Sequence, residues 1–357
     1  MQSAPNPDYV VAPIPNQSTL LILVKRLWSQ TLLGIVLGLA LTQLSACSSG
    51  PPPKYSDTYS TGTIKVAADH SFMPLLDHSL APYTATYPEA HLNISATTED
   101  SALRLLSIDS VQLAIATRPL KPAELEAMAK DKVTPIYTKI ALDAVALVVN
   151  KANADSLLAT DVIAKILKGE TKNWSQLPTL DLGEGSKSGP HQAGDIVCVF
   201  DNDRSSNLTY MQTQFGIKDE DLKNAKIFAV GNNKAVIDYV ATHPDALGFV
   251  GVGWVFDTTG DNKWINKVQV VAVGKSPSKP EAEALKSYDY YQPYQAYLGD
   301  KSYPFRRDIN WVYRSGRTGL AMGYAAYMAS DKGQRLVLKL GMLPTNVPVR
   351  MVQMNKE

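Results

Sequence analysis

Residues 64–94 read IKVAADHSFMPLLDHSLAPYTATYPEAHLNI, and the fold follows from this stretch. Thr63–Ala68 is a β-rich run, Met73–Tyr87 reads as a helix, and His91–Thr97 reads as a second strand. The pattern then repeats. Ala102–Ile108 is a short helix, Val111–Ala116 a strand stopped by Arg118-Pro119, and Pro122–Lys130 a helix. Ala144–Asn150 (AVALVVN) is a continuous apolar run, as expected of a strand buried on both faces. Alternating strands and helices predict an α/β chain with a mostly parallel sheet and helices on both sides.

A second block follows. The spacing predicts a helix over Asp161–Lys168, with Gly169 at its stop, and a Gly/Ser-rich loop over 181–195. Strands are expected at Ile196–Phe200, Lys226–Val230 and Ala246–Val250, and helices at Ser206–Phe215 and Asn233–Thr242. The last third returns to strands at 267–273 and 308–313. It closes with helices from about Thr318 to Leu340, where Ser330 is placed to cap the second and Gly341 and Pro344 to end it. Two α/β blocks and a C-terminal return predict two lobes joined by a hinge. The first is built from 62–143 plus 249–346, and the second from 144–248.

The N-terminal fifty residues read as an address. Lys25 and Arg26 precede an apolar run, Thr31–Leu44, and then Leu44-Ser45-Ala46-Cys47. A basic start, a short apolar core and small residues before a cleavage point describe a secretory signal over 1–46. The run is shorter than the roughly 20 residues of a spanning helix. Cys47 directly after Leu-Ser-Ala resembles the lipobox of bacterial lipoproteins, which implies lipidation of its thiol and a membrane anchor in the cell envelope. Residues 47–61, rich in Pro and Ser, are the expected tether.

Composition narrows the function classes. Among 357 residues, Lys and Arg number 35 and Asp and Glu 34, so no basic nucleic-acid surface is indicated. Two cysteines, Cys47 and Cys198, make neither a disulfide scaffold nor a thiolate zinc site. Cys198 sits in the apolar run 196–200 and reads as a small buried hydrophobe. Gly251-x-Gly253 is followed by Phe256, not a third glycine. No Walker A or Gly-x-Ser-x-Gly sequence occurs, and Asp69, His70, Asp77 and His78 lack metal-motif spacing. No cofactor, metal or catalytic residue is expected.

In open α/β sheets, ligands bind beyond the carboxyl ends of strands, against helix N-termini. Four loops meet that description: 69–73, 97–102, 117–121 and 201–207. Each is rich in hydroxyls, which either cap the helix that follows or donate to an oxyanion. Arg118, which ends an apolar strand, is suited to clamp one with two parallel bonds.

Several segments resemble one known family. Residues 64–94 are similar to the first βαβ unit of periplasmic substrate-binding proteins, and LAIATRPLKPAE (113–124) to their third-strand motif ending in Pro-Leu. Residues 146–177, which contain GETKNW, resemble the hinge strand and following segment of the phosphate-binding proteins of ABC transporters, the PstS family. ALGFVGVGW (246–254) and YMASDKGQRLVLKLGMLP (327–344) are similar to that family's Gly-Tyr-Val strand and final helix. The resemblance implies a two-lobed, type II Venus-flytrap fold that binds inorganic phosphate between its lobes, delivers it to a permease and ATPase complex, and works as a monomer without enzymatic chemistry. The candidate ligand residues, taken from the four loops, are Ser71, Phe72 through its main chain, Glu99, Ser101, Thr117, Arg118, Ser205, Ser206 and Asn207. The chain departs from the family at Thr117-Arg118, where an Asp is usual, and at Phe200-Asp201, where an Arg is usual. Glu99 is expected to replace the missing acceptor, or only to complement a helix start, and Arg118 to replace the missing cation. Another oxyanion, an organic solute held by Tyr288, Tyr290, Tyr291, Tyr294 and Tyr297, and an envelope phosphoester hydrolase are the alternatives.

Overall fold

The computed structural model describes residues 56–179, 181–183, 186–187, 190–256, 266–275, 289–316 and 319–345. These lie in one compact unit, Tyr55–Glu357. The leader, Cys47 and Tyr288 lie outside the described residues.

In chain order the elements that matter here are β1 (Gly62–Asp69), α1 (Met73–Thr86), β2 (Ala90–Thr97), α2 (Glu99–Ser107), β3 (Leu113–Ala116), α3 (Pro122–Lys130), β4 (Pro135–Asn150), β5 (Val197–Phe200), α4 (Ser206–Phe215), β6 (Ile227–Ala229), α5 (Asn233–Thr242), β7 (Ala246–Gly251), β8 (Arg306–Arg314), α6 (Leu320–Ala329) and α7 (Asp331–Lys339). The main sheet runs β2-β1-β3-β8-β4-β7-β5-β6. Its two flanks are parallel: β1 with β2 and β3, and β5 with β6 and β7. Its centre is antiparallel, because β8 pairs antiparallel with both β3 and β4, and β7 antiparallel with β4. The expected mostly parallel sheet is therefore a mixed one. Periodicity reports which residues are buried, not the direction in which a distant strand returns.

Strand β4 organises the sheet. It is 16 residues long, more than twice the apolar run that announces it, and is unbrokenly buried from Ile140 to Val149. Its first part pairs with β8, ending at Arg306↔Ala144, and its second with β7, beginning at Gly251↔Val145. One strand thus serves two half-sheets and changes partner between Ala144 and Val145. The last third does not return whole to the first half. Val268–Val270 pairs with Val148–Asn150, and Ala272–Gly274 with Leu157–Ala159, both on the second half.

The helices pack where apolar side chains face the sheet. Gly248 on β7 lets α5 approach closely: a Cβ there would stand 2.7 Å from Val240 and 2.8 Å from Val148. On the first half, Tyr83 of α1 stacks with Tyr324 and Tyr327 of α6 at 4.7 and 5.1 Å, and Trp311 of β8 meets Tyr324 edge-on. Cys198 is 1% exposed and packs as a hydrophobe. Two local expectations change. The 181–195 segment contains a short hairpin, Asp181–Gly183 with Ser186–Lys187. Ser330 stands at the N-cap of α7, but its hydroxyl donates back to the Tyr327 carbonyl at 2.6 Å.

Candidate functional site

The loops that follow β1 and β5 meet beside the point where β4 changes partner. A short polar side chain at a strand end, just before a helix, satisfies the N–H groups that the helix leaves unpaired. Ser205 does so at α4, accepting from the Leu208 N–H at 3.1 Å, and Asn232 at α5, accepting from the Ala235 N–H at 2.8 Å. Asp69 does so after β1, with Oδ1 accepting from the Ser71 N–H at 3.0 Å.

Asp69 also reaches across to the other half-sheet. Its Oδ2 accepts the Ser206 N–H at 3.1 Å and its Oδ1 the Ser206 hydroxyl at 2.8 Å. Ser206 Oγ lies 3.3 Å from Ser71 Oγ, and Asn233 Nδ2 donates to Ser71 Oγ at 3.4 Å. Asn233 Oδ1 in turn accepts from Asn207 Nδ2 at 3.1 Å and from the Gly251 N–H at 3.2 Å. Asp69, Ser71, Ser205, Ser206, Asn207 and Asn233 are all buried. A carboxylate at the start of α4, gathering two N–H groups and a hydroxyl, shows that these donors are spaced for an oxyanion, which the helix N-terminus also favours.

The cation of the site is Arg307 on β8. Its Nε donates to Asp143 Oδ2 at 2.9 Å and its Nη1 to Ser206 Oγ at 3.3 Å. Nη2 also lies 2.9 Å from Asp143 Oδ2, but is buried without a hydrogen bond of good geometry. The guanidinium sits over the rings of Phe72 at 5.0 Å and Tyr210 at 5.9 Å. Both members of the pair are buried, and burial raises the Asp143 carboxyl against the pull of Arg307 and of the Ala144 and Val252 N–H groups.

Glu99 opens α2 and binds the end of β3. Its Oε1 accepts from the Thr117 N–H, from Thr117 Oγ1 at 3.0 Å and from the Arg118 N–H at 3.4 Å. Burial pushes its carboxyl up, opposed by the Thr117 N–H and reinforced by the charge of Asp69.

The residues expected at the site divide in two. Ser71, Phe72, Ser205, Ser206 and Asn207 come together, and Glu99 and Thr117 pair with each other beside them. Arg118 does not clamp the cleft. Its Nε and Nη2 donate to Asp100 at 3.0 and 2.6 Å, and Nη1 and Nη2 to Glu124 at 3.0 and 2.9 Å. Two carboxylates on α2 and α3 satisfy the fork, so the charge at the strand end is held on the flank. Ser101 serves the start of α2, its N–H donating to Thr98 Oγ1 at 3.2 Å. The tyrosines stack on one another, Tyr291 on Tyr297 at 4.6 Å, and Tyr294 on Phe256 at 5.0 Å.

The sequence reading left Asp69, Asp143, Asp201, Asn233 and Arg307 out of the expected ligand set, although it singled out the loops that hold Asp69 and Asp201. Two of these carry a signal. Arg307 alternates with Ile309 and Trp311 on the inward side of β8, and Asp143 is the one acid inside the apolar run of β4. An inward charge in a buried strand needs a partner. Among the described residues, the hydrogen bonds of Ser71, Ser205 and Ser206 involve no histidine, so no serine–histidine pair for nucleophilic chemistry is assembled.

Comparison with known proteins bears on this arrangement. Residues 53–332 match the family model of the PBP superfamily domain. The phosphate-binding protein PstS of Borreliella burgdorferi is 23% identical over 240 residues, which span 64% of this chain and 74% of that relative. A Clostridium perfringens substrate-binding protein solved with bound phosphate superposes with a TM-score of 0.61 at 20% identity, covering 80% of this chain and all of the other. An ABC-type phosphate transport receptor from Vibrio cholerae superposes with a TM-score of 0.56 at 18% identity, covering 79% of this chain and 100% of the receptor. The overall fold is theirs: two lobes, each a mixed sheet flanked by helices.

Proposed function

The chain belongs to the PBP superfamily, and from that premise we propose that it is the substrate-binding component of an ABC importer, taking inorganic phosphate between its lobes and handing it to a permease and ATPase complex. The observation that carries this reading is the cross-lobe donor set: the Ser71 and Ser206 N–H groups and the Ser206 hydroxyl bond one carboxylate, that of Asp69, and the Ser71 hydroxyl and the Arg307 guanidinium each meet Ser206 Oγ beside it. In this reading Ser71 and Phe72 contribute from the loop after β1, Ser205, Ser206 and Asn207 from the start of α4, and Arg307 from β8. Glu99 shapes the third-strand loop through Thr117. Arg118 and Ser101 lie outside the set.

Closure is a hinge motion at the 144/145 crossover, and binding shifts the population toward the closed form. The protein acts as a binding protein and not as an enzyme. It is exported and held in the cell envelope by lipid on Cys47. Among the described residues no helix is long and apolar enough to cross a membrane.

Calorimetric titration with phosphate, sulfate, molybdate and a panel of organic solutes tests the ligand. Saturable binding of phosphate above the others is the expected result. Preferential binding of a sugar or peptide would overturn the assignment.

A further inference from the structure

The anion seat is rich in acid. Asp69, Glu99, Asp143 and Asp201 are all buried around it. Arg307 is the cation that bonds within it, and Asp143 already pairs with that guanidinium. Arg118 faces Glu99 through its backbone N–H, with its charge held by Asp100 and Glu124. Asp203 and Arg204, on the loop before α4, are exposed to solvent.

Asp201 follows β5, on the loop that leads into α4. It is 0% exposed, and its Oδ1 is buried without a hydrogen-bond partner, while Oδ2 accepts from Asn202 Nδ2 at 3.3 Å. A wholly buried carboxylate oxygen with no donor is costly as an anion, and protonation removes the charge and leaves an O–H free to donate to an incoming acceptor. Burial pushes its carboxyl up to about 7, and the charge of Asp69 adds to this, against Ser205, its own N–H and Arg307. An entering oxyanion brings more negative charge into the same space, so the shift grows on binding.

Resting on the phosphate reading above, we propose that Asp201 takes up a proton from solvent as the oxyanion binds, so that capture is coupled to proton uptake. The proton converts the unpartnered oxygen of Asp201 into an O–H donor that the oxyanion can accept from. The affinity then falls as pH rises above about 7, up to tenfold per pH unit for one proton, and levels off once the bound form also loses it.

The test is calorimetric titration with inorganic phosphate at pH 7.5 in buffers of different ionisation enthalpy, which counts the protons exchanged. Wild type and Asp201→Asn are compared, each checked for an intact fold by its melting transition. The protonation change of phosphate itself is common to both. Wild type should take up most of a proton more than the variant, and Asp201→Asn should keep its affinity from pH 6 to pH 8.5 where wild type loses it. Phosphate binding with equal proton counts in both overturns the coupling and leaves the phosphate reading intact. No phosphate binding by wild type overturns both. Should the variant not fold, a wild-type affinity that is flat or rising from pH 6 to pH 8.5 overturns the proposal.

Discussion

Arg307 is held by contacts that no local sequence rule supplies: Asp143 beside it, Phe72 and Tyr210 across its face, and Ser206 from the other half-sheet. Removing one member of a buried ion pair leaves the other charge stranded, at a cost of about 3–5 kcal/mol. Asp143→Ala should destabilise the fold on that scale in urea unfolding. Arg307→Ala should also weaken phosphate binding by roughly tenfold to a hundredfold, since a charge-assisted bond contributes about 1.5–3 kcal/mol and each 1.4 kcal/mol is a factor of ten. Arg118→Ala should leave phosphate affinity within a few-fold while lowering the melting temperature, because its bonds go to Asp100 and Glu124. A large affinity loss there would return Arg118 to the site. Asp201 gives a pH signature in the ligand-free protein. Its folded pKa of about 7 lies above the usual carboxylate value, so the stability this group contributes is fully present at acid pH and lost as pH rises through 7. Asp201→Asn removes that loss. Its melting temperature should exceed that of wild type at pH 8 and lose the advantage by pH 4.

At the scale of elements, the strand ends and helix starts carry the proposed function. The turn His70–Phe72 after β1 and helix α4 each begin with a polar cap on the preceding loop, so the capping residues and the proposed oxyanion donors are neighbours in sequence. Asp69 and Ser205 cap, and Ser71 and Ser206 donate. Helix α6 shows a different constraint. Gly323 is a poor helix former, and alanine at such a site ordinarily gains about 1 kcal/mol. Here a Cβ at Gly323 would fall 1.7 Å from the Tyr59 carbonyl oxygen, where the chain entering β1 crosses the helix. Gly323→Ala should therefore lower the melting temperature instead of raising it. Deleting residues 48–59 should restore the ordinary gain to alanine.

At the scale of the molecule, the two half-sheets share β4 and touch again through the seat. The Asp69–Ser206 bonds join them where the oxyanion is proposed to bind. In solution scattering, Asp69→Ala should show a larger radius of gyration than wild type without ligand, and phosphate should bring both to the same compact value. Equal radii without phosphate would show that these bonds do not hold the lobes together. The envelope assignment is tested separately: Cys47→Ala should release the protein from membranes.

How much was legible in the sequence differs between fold and site. The strands and helices of 63–116, 196–215 and 233–250 follow from period and punctuation, because apolar spacing and caps are local properties. Helices 206–215 and 233–242 are bounded in the structure where the spacing puts them. The loops bearing Ser71 and Ser206 followed from the same logic. What tertiary structure alone decided is direction and partnership. The return of β8 between β3 and β4 makes the centre antiparallel and brings Arg307, 101 residues beyond Ser206, within 3.3 Å of it. Arg118 looked like the cation because it ends a strand, and lost that place because two carboxylates on neighbouring helices satisfy its fork. A charge declares its burial through the pattern around it. Its partner depends on which distant strand or helix packs beside it, and only the folded chain fixes that.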